Sequence, residues 1–214
     1  MNHLIKKFQD SQWVMLKKLN FSKRIILKMV KGKNILDIGC GDGLLLEHIR
    51  KEGIIVKGID ISAKAISLCR KRGLDCDQVD IADSLPFGNN SYDEVLLIDV
   101  LEHLFQPREI LIEAHRVCRK NVYISVPNFV SFPARIQVLL GKTPENNTPR
   151  DGHVYWMTYK EIIKLLVNTG FVIDKIVVNT FWENILIVKY IMRVLKKVNP
   201  SLFGLSFIIK ARKI

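Results

Sequence analysis

The chain has 214 residues, 48 % hydrophobic and 25 % charged, with a formal charge of +12. That size suits one α/β domain with decorations, since domains commonly hold about 100–200 residues. The ordinary content of Gly (12) and Pro (7) excludes a globally disordered chain.

The charge is uneven. Residues 1–34 carry +8 and residues 183–214 carry +6, which leaves −2 for residues 35–182. The basic excess therefore lies in the two terminal segments. It would meet an anionic partner or surface there, or only solvent. The first 18 residues hold no uninterrupted apolar stretch, so a secretory signal is not expected. No run approaches the about 18 apolar residues of a membrane span. Cys40, Cys69, Cys76 and Cys118 form no Cys-x-x-Cys pair, so a structural zinc site is not expected. They read as reduced thiols used as small apolar residues, which suits a cytoplasmic location.

Residues 3–31 read as helical, with Leu4, Ile5, Phe8, Trp13, Leu16, Leu19, Ile26, Leu27 and Val30 at roughly helical spacing. A break is expected near Asn20. Residues 35–43, ILDIGCGDG, then read as a buried strand ending in a loop with Gly39, Gly41 and Gly43 at alternate positions. Glycine accepts φ > 0 and lets backbone approach a ligand closely. The following LLLEHIRKEG reads as a helix stopped by Gly53. Strand, glycine loop and helix in that order mark a nucleotide-like binding end of a parallel sheet. The spacing is not that of a dinucleotide fingerprint, Gly-x-Gly-x-x-Gly. Asp37, two residues before Gly39, favours a cationic or hydroxyl-bearing ligand over a pyrophosphate.

Residues 54–60, IIVKGID, read as a second strand ending on Asp60, a carboxylate placed to accept ribose hydroxyls. Ser62 caps the next helix, closed by Gly73. Residues 74–80 read as a third strand, followed by Leu85-Pro86-Phe87 and the turn Gly88-Asn89-Asn90-Ser91. Residues 93–98 read as a fourth strand, apolar enough to be buried on both faces. Pro107 opens a helix, and residues 121–126 form a fifth strand. Residues 127–157 depart from a minimal fold and leave the carboxyl end of the sheet. Loops of that length in compact domains are usually functional. Thr158 to Glu161 reads as a capping box. Residues 171–178 form a sixth strand and 201–211 a last one. Between them, 183–198 read as an inserted amphipathic helix with a cationic face. It would touch an anionic membrane or lipid-linked acceptor, pack on the domain, or pack on a second copy.

The glycine loop resembles motif I of the class I S-adenosylmethionine-dependent methyltransferases. Asp80 with Leu85-Pro86-Phe87, a turn and Tyr92-Asp93 resembles a second pattern of the same superfamily. The segment from Val126 to Phe129, then Arg135 and a loop before His153, resembles the methionine-biosynthesis MetW branch and, more distantly, the ubiquinone-biosynthesis type. The resemblance implies a Rossmann-like, doubly wound α/β fold: a seven-stranded, mostly parallel sheet with one antiparallel edge strand. It further implies a helical extension over residues 1–31 and a catalytic domain over 32–214. The implied cofactor is S-adenosylmethionine. Asp37 would orient its ammonium, and Gly39, Cys40, Gly41 and Gly43 would admit the nucleoside. Asp60 and Ile61 would meet ribose, Asp80 and Ile81 adenine, and Asp99 the methyl end.

In Asp99-Val-Leu-Glu102-His103, His103 is the candidate general base; the alternative is a structural histidine. Glu102 and His103 adjoin, and helical geometry would point them apart, so no metal is expected. Arg135, Arg150, His153, Tyr155 and Trp156 are candidates to line an acceptor pocket. Three functions stay open: a small-molecule methyltransferase on a sugar, lipid-linked or quinone-like acceptor; a non-catalytic partner protein that binds the cofactor; and a nucleic-acid methyltransferase. The last lacks an Asn/Asp-Pro-Pro-Tyr segment after the fourth strand, so nucleic acid is not the expected partner. A homodimer is compatible with the sequence.

Overall fold

A computed structural model of the chain describes residues 13–81, 84–144, 152–181 and 186–214. Seven strands among them form one sheet: β1 (Asn34–Ile38), β2 (Ile55–Asp60), β3 (Cys76–Gln78), β4 (Tyr92–Ile98), β5 (Cys118–Pro127), β6 (Phe171–Asn179) and β7 (Ser206–Lys213). Their spatial order is β3-β2-β1-β4-β5-β7-β6. Strands β1 to β5 pair in parallel. The single antiparallel strand, β7, lies toward one end of the sheet, between β5 and β6. The chain order reverses between β1 and β4, which opens a crevice outside the carboxyl ends of those strands. The glycine loop, Asp60 and Asp99 all fall on that side.

The helices are α1 (Phe21–Met29), α2 (Leu44–Lys51), α3 (Ala63–Lys71), α4 (Pro107–Val117), α5 (Phe132–Leu139), α6 (Tyr159–Asn168), α7 (Leu186–Val198) and the short α8 (Pro200–Phe203). Local chemistry starts several of them. Asn20 accepts the Lys23 N–H at the start of α1, and Ser62 accepts the Ala65 N–H at the start of α3. Thr158 and Glu161 form the expected capping box of α6.

The sheet is buried on both faces. Leu36, Ile38, Val95 and Leu97 join Ile110, Leu166, Phe171 and Phe207 on one side. Ile35, Leu96 and Ile98 join Ile26, Leu46, Ile49 and Ile208 on the other. Strand side chains alternate between faces, and β4 has no solvent-facing side: all seven of its residues, Asp93 and Glu94 included, are buried. Each fully buried Leu or Ile contributes about 1.5–3 kcal/mol, which makes the two cores the main source of stability. At the opposite edge from the crevice, buried Glu94 ties three segments together. It accepts the N–H groups of Lys31 and Gly32 (2.9 Å each), the Asn121 amide (3.0 Å) and the Tyr123 hydroxyl (3.0 Å).

Three expectations need correction. Residues 13–20 are not helical; α1 begins only after Asn20, and the preceding segment is an irregular strap. The last strand begins at Ser206, not 201, because Asn199 caps α8 by accepting the Leu202 N–H and Pro200 opens that helix. Cys69 and Cys76 are not reduced thiols: they are joined as a disulfide between α3 and β3, while Cys40 and Cys118 are free and buried. Residues 3–12 of the expected helix, Arg150 and Ile185 lie outside the described residues.

Candidate cofactor and acceptor site

The site grows from the end of β1. Gly39, Gly41 and Gly43 all have left-handed φ, at 76°, 59° and 74°. The N–H groups of Gly39 and Cys40 both donate to the Ile59 carbonyl (2.8 and 3.0 Å), which pins the loop to β2. A Cβ on Gly39 would lie 2.5 Å from Val100 Cγ2, so β4's exit sits against this loop. Cys40 fills the space behind it, and burial pushes its thiol well above the usual range.

Asp60 closes the loop from the β2 side. One carboxylate oxygen accepts the Gly41 N–H (2.9 Å) and the other accepts the Ser62 N–H (2.8 Å). Asp60 is therefore a buried organiser of the loop as well as the expected strand-end acid. Asp37 lies deeper, 3 % exposed, and its Oδ1 has no hydrogen-bond partner. Burial raises its pKa from 3.8 to about 7; the charge of Lys23 opposes the shift and that of Asp60 adds to it. A buried carboxyl with one partnerless oxygen, beneath a loop with three left-handed glycines, fits a ligand that brings a positive group. Ile61 and the half-buried Asp80 and Ile81 follow β2 and β3. The Ile61 carbonyl accepts the Gln78 amide (2.9 Å), and the Val79 N–H donates to the Asp60 carbonyl (3.0 Å), which keeps these two strand ends together.

On the other side of the crevice, Asp99 leaves β4 with φ 56°, a conformation that non-glycine residues seldom adopt. Its carboxylate accepts the Ser125 hydroxyl and, at 3.4 Å, the Asn20 amide. Ser125 sits on β5 and Asn20 at the end of the strap, so Asp99 joins three segments at the carboxyl end of β4.

Residues Leu101–His103 then form a single 3-10 turn. Glu102 is 2 % exposed and its Oε2 has no hydrogen-bond partner. Burial first, and the nearby Asp99 charge second, hold this carboxyl well above the ordinary range. The Glu102 carbonyl accepts the N–H groups of Val154 and Tyr155 (2.9 and 3.0 Å). That docks the segment after residue 151 onto the turn. His103 Nδ1 lies 3.2 Å from the Gly152 carbonyl, and the His103 and His153 rings meet edge to face with centroids 4.9 Å apart. Contrary to the expected divergence of adjacent residues, Glu102, His103 and His153 each place a donor atom within 4.8 Å of the others.

The acceptor-side candidates divide. His153 reaches the site, and Tyr155 packs on the core beside it. Trp156 stacks on Phe129 (4.7 Å, 6°) but is 55 % exposed, so it forms a rim. Arg135 is exposed on α5 and its Nε donates to the Val130 carbonyl (2.8 Å); it ties its own segment.

The sequence reading missed the strap's anchors. A Cβ on Gly41 would lie 2.3 Å from the Trp13 ring, so the indole rests directly on the glycine loop. Leu16 N–H donates to Asp42 Oδ2 (2.7 Å), and Arg72 bridges the Leu16 carbonyl, Asp42 and Glu47 at 2.6 Å each. The strap thus runs across the crevice from Asp42 to Asp99. Asp42, inside the glycine loop, was the available signal.

Residues 21–177 match the model of the methionine biosynthesis protein MetW, nearly three quarters of the chain. The chain belongs to the MetW family. Among curated relatives, a ubiquinone biosynthesis O-methyltransferase of Vibrio atlanticus is 29 % identical over 151 residues, covering 64 % of this chain and 62 % of that protein. Its counterpart in Vibrio campbellii is 33 % identical over 88 residues, 38 % of this chain and 37 % of that protein. The chain thus spans less than two thirds of the relatives it matches. Solved structures share the fold of this MetW-family chain. A Thermotoga maritima SAM-dependent methyltransferase, a possible histamine N-methyltransferase, aligns with TM-score 0.65 at 18 % identity, over 99 % of this chain and 92 % of that one. Magnesium protoporphyrin IX methyltransferase of Synechocystis, with bound SAH, aligns with TM-score 0.67 at 18 % identity, over 93 % and 90 %.

Proposed function

We propose that this MetW-family chain is an S-adenosylmethionine-dependent methyltransferase acting on a small-molecule acceptor. The observation that carries the reading is Asp37, a buried carboxyl with a partnerless oxygen beneath left-handed glycines. When bound, the cofactor supplies a methyl group activated by a positive sulfur. Asp37 would hold the ammonium of its methionine part, and the backbone of Gly39, Gly41 and Gly43 would lie against it. Asp60, fixed at the end of β2, would accept ribose hydroxyls. Asp80 would meet the adenine amino group and Ile81 its apolar face. The remaining work is positioning and exclusion of water, which the Trp13 strap and the segment 152–157 would do from opposite sides. His103, beside His153, is the nearest candidate to take a proton from the acceptor.

Calorimetric titration with S-adenosylmethionine and S-adenosylhomocysteine tests this, with Asp60→Ala in parallel. Saturable binding that the variant loses supports the reading; no binding by the folded native chain overturns it. A second reading, which the MetW resemblance permits, is a partner protein that holds the cofactor without turning it over. It gives the same binding but no methyl transfer in an acceptor screen.

The acceptor is the finer question. The described surface exposes Val138 and Leu139 near the end of α5, and Tyr190, Ile191 and Val194 on α7 beside Arg193. This mixture of apolar and basic groups supports a lipid-linked acceptor. No helix among the described residues is long and apolar enough to cross a membrane. Co-sedimentation with anionic vesicles, absent with neutral ones, is the expected result; equal recovery from both would remove the lipid-linked acceptor.

A further inference from the structure

Three of the four cysteines meet in one core. Cys40 of the glycine loop, Cys69 of α3 and Cys76 of β3 are all buried, and their sulfurs lie within 4.8 Å of one another. Cys69 and Cys76 are bonded to each other, and Cys40 is a free thiol. A free thiol packed beside a disulfide is a nucleophile beside an electrophile. We propose that these sulfurs form a thiol–disulfide exchange site, in which Cys40 attacks Cys76 and moves the disulfide from Cys69–Cys76 to Cys40–Cys76.

Two glycines decide which sulfur is attacked. A Cβ on Gly58 would lie 2.8 Å from Cys40 Sγ and 2.8 Å from Cys76 Sγ, so this bare stretch of β2 seats both sulfurs. Gly58 is also the residue of β2 that pairs with Cys76. Cys69 Sγ instead lies 2.6 Å from where a Cβ of Gly43 would stand. Cys76 is therefore the sulfur presented to Cys40, and Cys69 is the leaving group.

The step balances without a further reagent. The Cys40–Cys76 bond forms and the Cys69–Cys76 bond breaks. Cys69 leaves as a thiolate and takes up the proton that Cys40 released. Cys40 is oxidised and Cys69 is reduced, so the chain keeps one disulfide. What changes is the element it holds. Between Cys69 and Cys76 it ties α3 to β3; between Cys40 and Cys76 it ties β3 to the cofactor loop, at the residue between Gly39 and Gly41. Burial keeps the Cys40 thiol well above its usual range, so the attacking thiolate is scarce at neutral pH and grows as pH rises. The inference rests on the methyltransferase reading only for its coupling to a ligand: a cofactor seated on the loop would oppose the pull of Cys40 toward β3.

The test is a time course on the full chain, purified with its disulfide intact and free of added thiol. Samples are quenched in acid, their thiols are alkylated in denaturant, and the protein is digested with trypsin without reduction. Cleavage after Lys and Arg puts Cys40, Cys69, Cys76 and Cys118 on separate peptides, 34–50, 65–70, 73–108 and 117–119, so each linkage has its own mass. Peptide 34–50 joined to 73–108 is expected to appear with alkylated 65–70, at a rate that rises about tenfold per pH unit between about pH 7 and 9. Cys118→Ser should exchange like the native chain, and Cys40→Ser should keep only the linkage of 65–70 to 73–108. A native chain that never links Cys40, or one that links Cys118 as often as Cys40, overturns the proposal. Saturating S-adenosylhomocysteine should lower the Cys40–Cys76 fraction about twofold or more. Ligand that binds and leaves this fraction unchanged overturns the coupling. Exchange in a folded chain that binds no S-adenosylhomocysteine keeps the sulfur site and removes the methyltransferase reading.

Discussion

Asp37 carries the clearest consequences at the scale of one residue. Its pKa of about 7 in the fold lies above the ordinary carboxyl value, so the fold disfavours its charged form. The sign follows directly. Between about pH 4 and pH 7 the unfolded chain has already released this proton and the folded chain still holds it, so stability falls as pH rises through that window. At about 1.4 kcal/mol per pKa unit the loss reaches at most about 4 kcal/mol. Asp37→Asn should therefore raise the melting temperature of the ligand-free protein at pH 8 and leave it nearly unchanged at pH 4. The same variant should bind S-adenosylmethionine at least about tenfold more weakly, since a hydrogen bond to a charged group contributes about 1.5–3 kcal/mol. Binding by the native chain should weaken as pH drops below 7. A melting temperature and an affinity that both ignore pH would contradict this account. Asp37, the glycines and Asp60 were legible because their spacing is local. The burial of Glu102 was not, since a carboxylate in an exposed turn has the same letter. His153 was not, because no periodicity connects it to His103. The Cys69–Cys76 pair was not, because its spacing matches no thiol motif and only the packing of α3 on β3 brings the sulfurs together.

At the scale of elements, the strap over residues 13–20 crosses the crevice between Asp42 and Asp99. Besides the Trp13 ring on Gly41, the strap is held at the loop by the N–H and carbonyl of Leu16, taken by Asp42 and Arg72. Leu16→Pro removes the donor while sparing the Arg72 ion pairs. Trypsin cleavage at Lys17 and Lys18 should then accelerate, and S-adenosylhomocysteine should dissociate faster. Unchanged rates of both would mean that the strap does not gate the site. By contrast, the α6 cap is purely structural. Thr158→Ala should lower stability by about 1 kcal/mol in chemical denaturation, with cofactor affinity unaltered. Most helix positions were readable, because Ser62, Thr158 and Pro107 announce them. The strap was read as helix because its apolar residues happen to recur at helical spacing. The structure uses Trp13 and Leu16 to reach the glycine loop instead. The first part of β7 was misread for a related reason: SLFGLSF is apolar enough for a strand, but Asn199 and Pro200 supply a helix start.

Across the whole molecule, the parallel order of β1 to β5 and the two cores followed from apolar strands separated by amphipathic helices. What did not follow was how the basic terminal segment joins the sheet. Glu94 makes that joint, at the edge away from the crevice. Glu94→Ala should destabilise the protein by roughly 3 kcal/mol or more, since it takes the acceptor from the Lys31 and Gly32 N–H groups and the Asn121 amide, while Tyr123 keeps the Met29 carbonyl. The folded fraction should keep its affinity for S-adenosylmethionine. A mild loss of stability would show that Glu94 does not make the joint, and a loss of binding by the folded fraction would show that the joint and the crevice are coupled.

The placement of β7 has a bearing on how the protein is made. Strand β6 is synthesised before β7 yet has no neighbour in the sheet until β7 arrives between it and β5. On the ribosome, β1 to β5 can assemble as they emerge, while β6 must wait with its backbone unpaired. An unpaired strand is a template for foreign strands. The vulnerable interval for aggregation during translation is thus the span between residues 171 and 206, and a chaperone that captures this nascent chain would be expected to bind there.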